Sequence, residues 1–206
     1  HGIMRVVRTH GAAHARALAA LVASPAHADG WAAEAASNGV QVWSRDVDGS
    51  GVQAWRGVTV LPWKLDAVAQ VVTGFADYHR FMPHVTTSRV LRATAGDPAT
   101  TRYYIRLGLP SMDDRDYVIE ATARRTSAPD RVVIELAAVK TSEPPQPKSV
   151  IRIVTLTARW TLTAEGEKTR VEYESHAELG GSVPDFMVNS NGRDALLAVM
   201  AALRTR

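Results

Sequence analysis

Between residues 85 and 179 the chain is a succession of segments in which apolar and polar side chains alternate, and one long helical pattern follows them. That combination narrows the fold more than any other feature. Residues 169–179 show it most cleanly: Val171, Tyr173, Ser175, Ala177 and Leu179 alternate with Arg170, Glu172, Glu174, His176 and Glu178. Period-two alternation puts the first set on one face of a strand and the charged set on the other, the pattern of a half-buried antiparallel sheet. Residues 101–109 repeat it, with Tyr103, Ile105 and Leu107 opposite Arg102, Tyr104 and Arg106. So do residues 116–126, with Tyr117, Ile119 and Ala121 opposite Glu120, Thr122 and Arg124. Further strands are expected over 85–93, 131–139 and 150–163. A sheet with one apolar face must bury it, and the last helix is the cover at hand. That helix reads as starting with Ser182 as N-cap, Pro184 in the first turn and Asp185 completing an S-x-x-D box. Leu196, Val199, Met200 and Leu203 form its apolar stripe.

Upstream, residues 40–46 and 52–61 read as a hairpin across Asp48-Gly49-Ser50-Gly51. Residues 64–74 read as a helix, with Leu65, Val68, Val71 and Val72 at helical spacing, and 76–81 as a second short one ended near Pro83. Residues 29–37 are expected to form a short helix with Asp29 as cap, Trp31 as anchor and Gly39 as stop. Residues 9–24 read as an Ala- and Leu-rich helix ended by Pro25. The fold class is α+β: a curved antiparallel β-sheet wrapped around a long C-terminal α-helix. Residues 29–206 form that domain and 1–28 a separate N-terminal segment. There, His1-Gly2-Ile3 reads as a cloning remnant before Met4. Arg5, Arg8, the apolar stretch 17–23 and Ala26-His27-Ala28 match the layout of a secretory signal and, equally, an ordinary Ala-rich helix. The first reading implies a periplasmic or membrane-facing protein, the second a cytoplasmic one.

The net charge of +3 over 206 residues comes from scattered basic residues, of which Arg124-Arg125 is the nearest to a run. A nucleic-acid protein shows a basic stripe, so no nucleic-acid partner is expected. The absence of cysteine removes disulfides, thiolate nucleophiles and Cys-based zinc sites. No stretch approaches the roughly 20 apolar residues of a membrane span. G-x-S-x-G, H-E-x-x-H, the P-loop and a full G-x-G-x-x-G are all missing.

The inward faces mix bulky Tyr103 and Tyr117 with small Ala121, Ser175 and Ala177. Small residues leave room, and tyrosines offer a polar tip to a ligand. By residue type alone, a packed core with locally satisfied tyrosines is the simpler reading. Several motifs in order shift that balance. They are Trp31 opening its segment, Gly39-Val40-Gln41-Val42-Trp43-Ser44-Arg45 with Gly49-Ser50 in the next turn, and Phe75-Ala76-Asp77-Tyr78-His79-Arg80-Phe81-Met82-Pro83. Then follow Arg115-Asp116-Tyr117-Val118, the strand ending Trp160-Thr161-Leu162, and Gly180-Gly181-Ser182-Val183-Pro184 with Asn189. Together they resemble START-like lipid-binding domains of the helix-grip, Bet v 1-like superfamily, above all the bacterial ones. The resemblance implies an apolar cavity for one lipid or sterol, gated by the last helix and nearby loops. Some eukaryotic members carry a buried arginine just beyond the Arg-Asp-aromatic-Val motif. Here Ala121 takes that place, which puts a charged pair at the cavity floor in doubt.

On this reading the ligand-binding residues are Tyr103, Ile105, Leu107, Met112, Tyr117, Ile119, Ala121, Tyr173, Ser175, Met187 and Asn191, with no catalytic residue, metal or cofactor. The loop from Leu107 to Asp114 would be a lid with Leu109 and Met112 as apolar tips. His79 and His84 lack a metal-ligand spacing and read as surface residues. Asp113, Asp114 and Asp116 around Arg115 read as a solvated loop with a local Arg–Asp pair. Glu143-Pro144-Pro145-Gln146-Pro147 reads as a stiff connection. Asn189-Ser190-Asn191 faces either cavity or solvent. The expected function is binding of one hydrophobic ligand, a lipid, fatty acid or sterol-like molecule, for transport or sensing, with Tyr103, Tyr117, Tyr173 and Asn191 orienting its head group and with transient membrane contact. The alternatives are a polyketide cyclase or aromatase of the same fold, and an interaction module without a cavity.

Overall fold

The computed structural model describes residues 30–205. The N-terminal helix over 9–24, the signal-like layout and Asp29 lie outside them. In chain order the elements are β1 (Ala32–Ser37), β2 (Val40–Arg45), β3 (Ala54–Leu61), α1 (Leu65–Thr73), a 3₁₀ helix (Phe75–Arg80), β4 (Val85–Thr94), β5 (Ala99–Leu107) and β6 (Asp114–Ser127). After them come β7 (Asp130–Ala138), β8 (Val150–Arg152), β9 (Thr155–Glu165), β10 (Lys168–Glu178) and α2 (Asp185–Leu203). The strands form one curved sheet in the order β1-β2-β3-β10-β9-β7-β6-β5-β4, with β8 pairing off this path with β6. Every neighbouring pair along the path is antiparallel. This is the α+β, helix-gripping arrangement that one-faced strands and a single long helix demand.

Three local expectations are corrected. Residues 32–37 form an edge strand on β2, with Ala32 opposite Ser44 and Ser37 opposite Val40. Alanine favours a helix, but six residues cannot sustain one alone. The free edge of β2 offers them a ladder instead. Asn38 and Gly39 have φ of 51° and 72°, the two positive values of a type I′ hairpin turn. Thus Gly39 closes a hairpin instead of stopping a helix. Second, the single strand expected over 150–163 divides at Ile153. β6 pairs with β7 only from Ile119 onward, which leaves Asp114–Asp116 free to take β8 in parallel. The chain then turns at Val154 and pairs as β9 with β7. Third, α2 has Pro184, not Ser182, at its N-cap and no side-chain cap bond. Gly180 and Gly181, at φ of 65° and 69°, form the link from β10, and a Cβ on Gly181 would lie 2.7 Å from Ile151 Cδ1.

The core joins α1, the 3₁₀ helix, the inner sheet face and the C-terminal half of α2, through Leu65, Val72, Phe75, Ile105, Ile134, Leu162, Val171, Leu196 and Met200. Only Leu196, Met200 and Leu203 of α2 are fully buried. Its N-terminal half stays largely exposed. The helix is therefore anchored at one end and spans open space at the other.

Candidate ligand-binding site

That open space is a cavity of about 630 Å³ between the concave sheet face and α2. It falls within the range of sites that enclose drug-sized molecules. Its walls are the inward residues of β5 (Tyr103, Ile105, Leu107), β6 (Tyr117, Ile119), β9 (Leu156, Ala158, Trp160) and β10 (Tyr173, Ser175, Ala177, Leu179). Met187, Asn191, Leu196 and Val199 of α2 roof it, and Leu109, Pro110 and Met112 of the β5–β6 loop stand at the rim. Period-two alternation produces this lining, because charged side chains on the same strands, such as Arg102 and Glu120, pair on the outer face at 2.8 Å.

All of the residues singled out above line this cavity except Ala121. Ala121 is 2% exposed and packed in the core opposite Leu136. The alternation identified its face correctly, but of this pair it is Leu136 and not Ala121 that reaches the cavity. Sequence reasoning missed Trp55, Tyr78, His84, Leu156, Trp160 and Val183, which also line the cavity. Leu156, Ala158 and Trp160 carried the same alternation and were legible. Trp55 was not. It meets the helix at Gly192, where a Cβ would lie 2.1 Å from Trp55 Nε1, so only a bare helix face admits the indole.

Aromatic rings crowd one end. Phe75 stacks on Tyr103 at 4.3 Å and Trp160 on Tyr173 at 4.0 Å. Burial raises the pKa of Tyr78, Tyr103, Tyr117 and Tyr173 above the ordinary phenol value, and neighbouring tyrosines add to the rise at Tyr78, Tyr103 and Tyr117. Tyr78 donates to the Val72 carbonyl at 2.5 Å, and Tyr173 interacts with Ser175.

Charged groups lie outside the cavity, in places the sequence reading did not give them. Asp116 is fully buried and forms a bidentate pair with Arg152, at 2.6 and 2.9 Å, while accepting from the Tyr104 hydroxyl at 3.2 Å. Arg152 also donates to the carbonyls of Thr141 and Pro144, each at 3.1 Å, which ties the proline-rich connection to the sheet. Arg115, 2% exposed, donates to the carbonyls of Asp113, Leu179 and Gly180. The expected solvated loop is thus corrected at both residues. Two of the motifs quoted above, Arg115-Asp116-Tyr117-Val118 and Gly180-Gly181-Ser182-Val183-Pro184, thus meet in space through Arg115 and the Gly180 carbonyl. Of the polar run in α2, Asn189 clamps the β2–β3 turn by accepting from Gln53 N–H at 2.8 Å and donating to the Gly51 carbonyl at 2.9 Å. Asn191 lines the cavity with its amide nitrogen already donating to the Met187 carbonyl at 2.7 Å. His79 Nδ1 bonds to Ser88 Oγ at 2.8 Å, whereas His84 sits exposed at the cavity mouth.

The model of the START domain family matches residues 15–204. An uncharacterised protein of Pseudomonas aeruginosa is 28% identical over 186 residues, covering 89% of this chain and 90% of its own length. The crystal structure of a STAR-related lipid transfer protein from Xanthomonas axonopodis is similar at a TM-score of 0.78 and 28% identity, over 86% of this chain and 98% of that one. Human StAR-related lipid transfer protein 5 shares the fold at a TM-score of 0.78 and 17% identity, over 87% of this chain and 86% of that one.

Proposed function

The chain belongs to the START domain family, and on that premise we propose that it carries or senses one lipid-like molecule enclosed between sheet and α2. The observation behind this reading is the cavity of about 630 Å³ with its mostly aliphatic and aromatic walls. Burial of apolar surface there stabilises a bound chain or ring system by roughly 25 cal/mol per Å² before the costs of association. The residues assigned to contact are Tyr103, Ile105, Leu107, Met112, Tyr117, Ile119, Tyr173, Ser175, Met187 and Asn191. Loading requires the half-exposed N-terminal part of α2 and the β5–β6 loop to part. Met112 and Met187, which line the cavity, and Phe186, next to Met187 in the first turn of α2, are exposed by 38%, 43% and 71% and are assigned transient contact with a membrane.

The test is extraction of the purified protein with organic solvent, with native mass spectrometry on the intact form. One lipid per chain is expected, and Ala158→Trp, which fills the cavity from β9, should lose it while keeping a cooperative melt. A protein that yields no lipid and takes none from liposomes refutes the proposal.

A further inference from the structure

We infer that the ligand buries an uncharged, oxygen-bearing end, an alcohol or a ketone or ester carbonyl, against the hydroxyls of Tyr103 and Tyr117. This rests on the carrier reading above and narrows its substrate class to neutral lipids. Three observations carry it. No lysine, arginine, aspartate or glutamate lines the cavity among the described residues. The one ring able to become cationic there, His84, is exposed at the mouth. A carboxylate or phosphate drawn inside would therefore lose its hydration without gaining a counter-charge, a severe penalty in an apolar site.

The second observation is where hydrogen-bonding capacity is left over. Tyr78 is engaged by the Val72 carbonyl and Tyr173 by Ser175. The hydroxyls of Tyr103 and Tyr117 have no hydrogen-bond partner among the described residues, yet neither is sealed into packed core, and both residues line the cavity. Tyr103 is 2% exposed and its ring is fixed face-on by Phe75. These hydroxyls are donors open to the cavity, and a ligand oxygen accepting from them gains a hydrogen bond that no described protein group already uses.

The third is protonation. Burial keeps both phenols neutral far into the alkaline range. They therefore present a hydroxyl donor at neutral pH, which suits the acceptor oxygen of an alcohol, ketone or ester.

The experiment titrates the protein at pH 8 with three C18 probes that differ only at one end: oleyl alcohol, methyl oleate and oleate. Binding is read from the fluorescence of Trp55 and Trp160, which line the cavity. The alcohol and ester should bind at least about tenfold tighter than oleate, which must leave its carboxylate in water at the mouth. Tyr103→Phe and Tyr117→Phe should each weaken alcohol and ester about two- to tenfold, the worth of one neutral hydrogen bond, and leave oleate unchanged. Oleate binding as tightly as the alcohol, or alcohol and ester affinities indifferent to both replacements, would overturn the inference while leaving a hydrophobic carrier standing. Failure of both alcohol and ester to bind also overturns it. If solvent extraction then yields no lipid either, the carrier reading falls with it.

Discussion

Two kinds of buried polar residue serve opposite purposes here. Asp116 and Arg152 are satisfied in full by each other and by Tyr104, Thr141 and Pro144. Such a pair is expensive to break from one side, because the survivor stays buried with its charge unmatched. Asp116→Ala should cost about 3–5 kcal/mol, read from the urea midpoint at constant slope. A loss below about 1 kcal/mol would mean that Arg152 escapes to water. The tyrosines behave differently. The sequence has five, and each has its pKa raised, with burial as the main cause. In the unfolded chain they ionise near pH 10, so above that pH the unfolded state binds fewer protons than the folded one. Stability therefore holds below about pH 10 and falls as the pH rises beyond it. An absorbance titration at alkaline pH should show the four cavity tyrosines ionising together with loss of the fold. A reversible step near pH 10 with near-UV circular dichroism intact, involving more than Tyr104, would contradict this.

At the scale of elements, α2 is two devices in one helix. Its C-terminal half packs Leu196 and Met200 onto Gly57 of β3, where a Cβ would lie 3.2 Å from Leu196 Cδ2. Arg204 then fastens its end to Thr59 Oγ1 at 2.7 Å. Its N-terminal half is held by Asn189 and by the indole of Trp55 under Gly192. Gly192→Ala gains helix propensity of up to about 1 kcal/mol but forces Trp55 aside, an overpacking cost of about 1–3 kcal/mol. The net should be a lower Tm, recovered in part by Trp55→Phe, which withdraws the clashing ring. An increase in Tm from Gly192→Ala alone would show that the indole moves freely. Asn189→Ala removes both bonds to the β2–β3 turn and should speed lipid exchange between donor and acceptor vesicles without changing the amount bound. An unchanged exchange rate would place the gate elsewhere.

For the whole molecule, the sheet carries charged pairs such as Arg102–Glu120 on its outer face and apolar residues around the cavity. The described residues include no helix long and apolar enough to cross a membrane. Met112 belongs to the β5–β6 loop, whereas Phe186 and Met187 are neighbours at the start of α2, and all three are exposed. Replacing Phe186 and Met112 together with serine should reduce sedimentation with liposomes several-fold while native mass spectrometry still finds the loaded protein. Equal sedimentation would argue that another face meets the bilayer.

Alternation in 101–109, 116–126 and 169–179 was enough to indicate the class of fold and the part of the cavity wall that β5, β6 and β10 supply. A side-chain period of two leaves no freedom about which residues face inward. What alternation cannot carry is depth and partner. Ala121 shares a face with Tyr117 and Ile119, but it is packed into the core cluster two residues beyond the last cavity-lining residue of β6. The same limit explains residues 32–37, whose alanines favour a helix until the vacant edge of β2 is supplied. It also explains Arg115 and Asp116, which look solvated in a run of acidic residues. Their burial depends on Arg152 and the Leu179–Gly180 carbonyls, which lie far along the chain. The sequence thus determined the faces of the strands and the presence of one covering helix. Only the tertiary structure decided where the helix stops filling the space beneath it, because that depends on contacts such as Trp55 with Gly192 and Gly57 with Leu196, which no local pattern records.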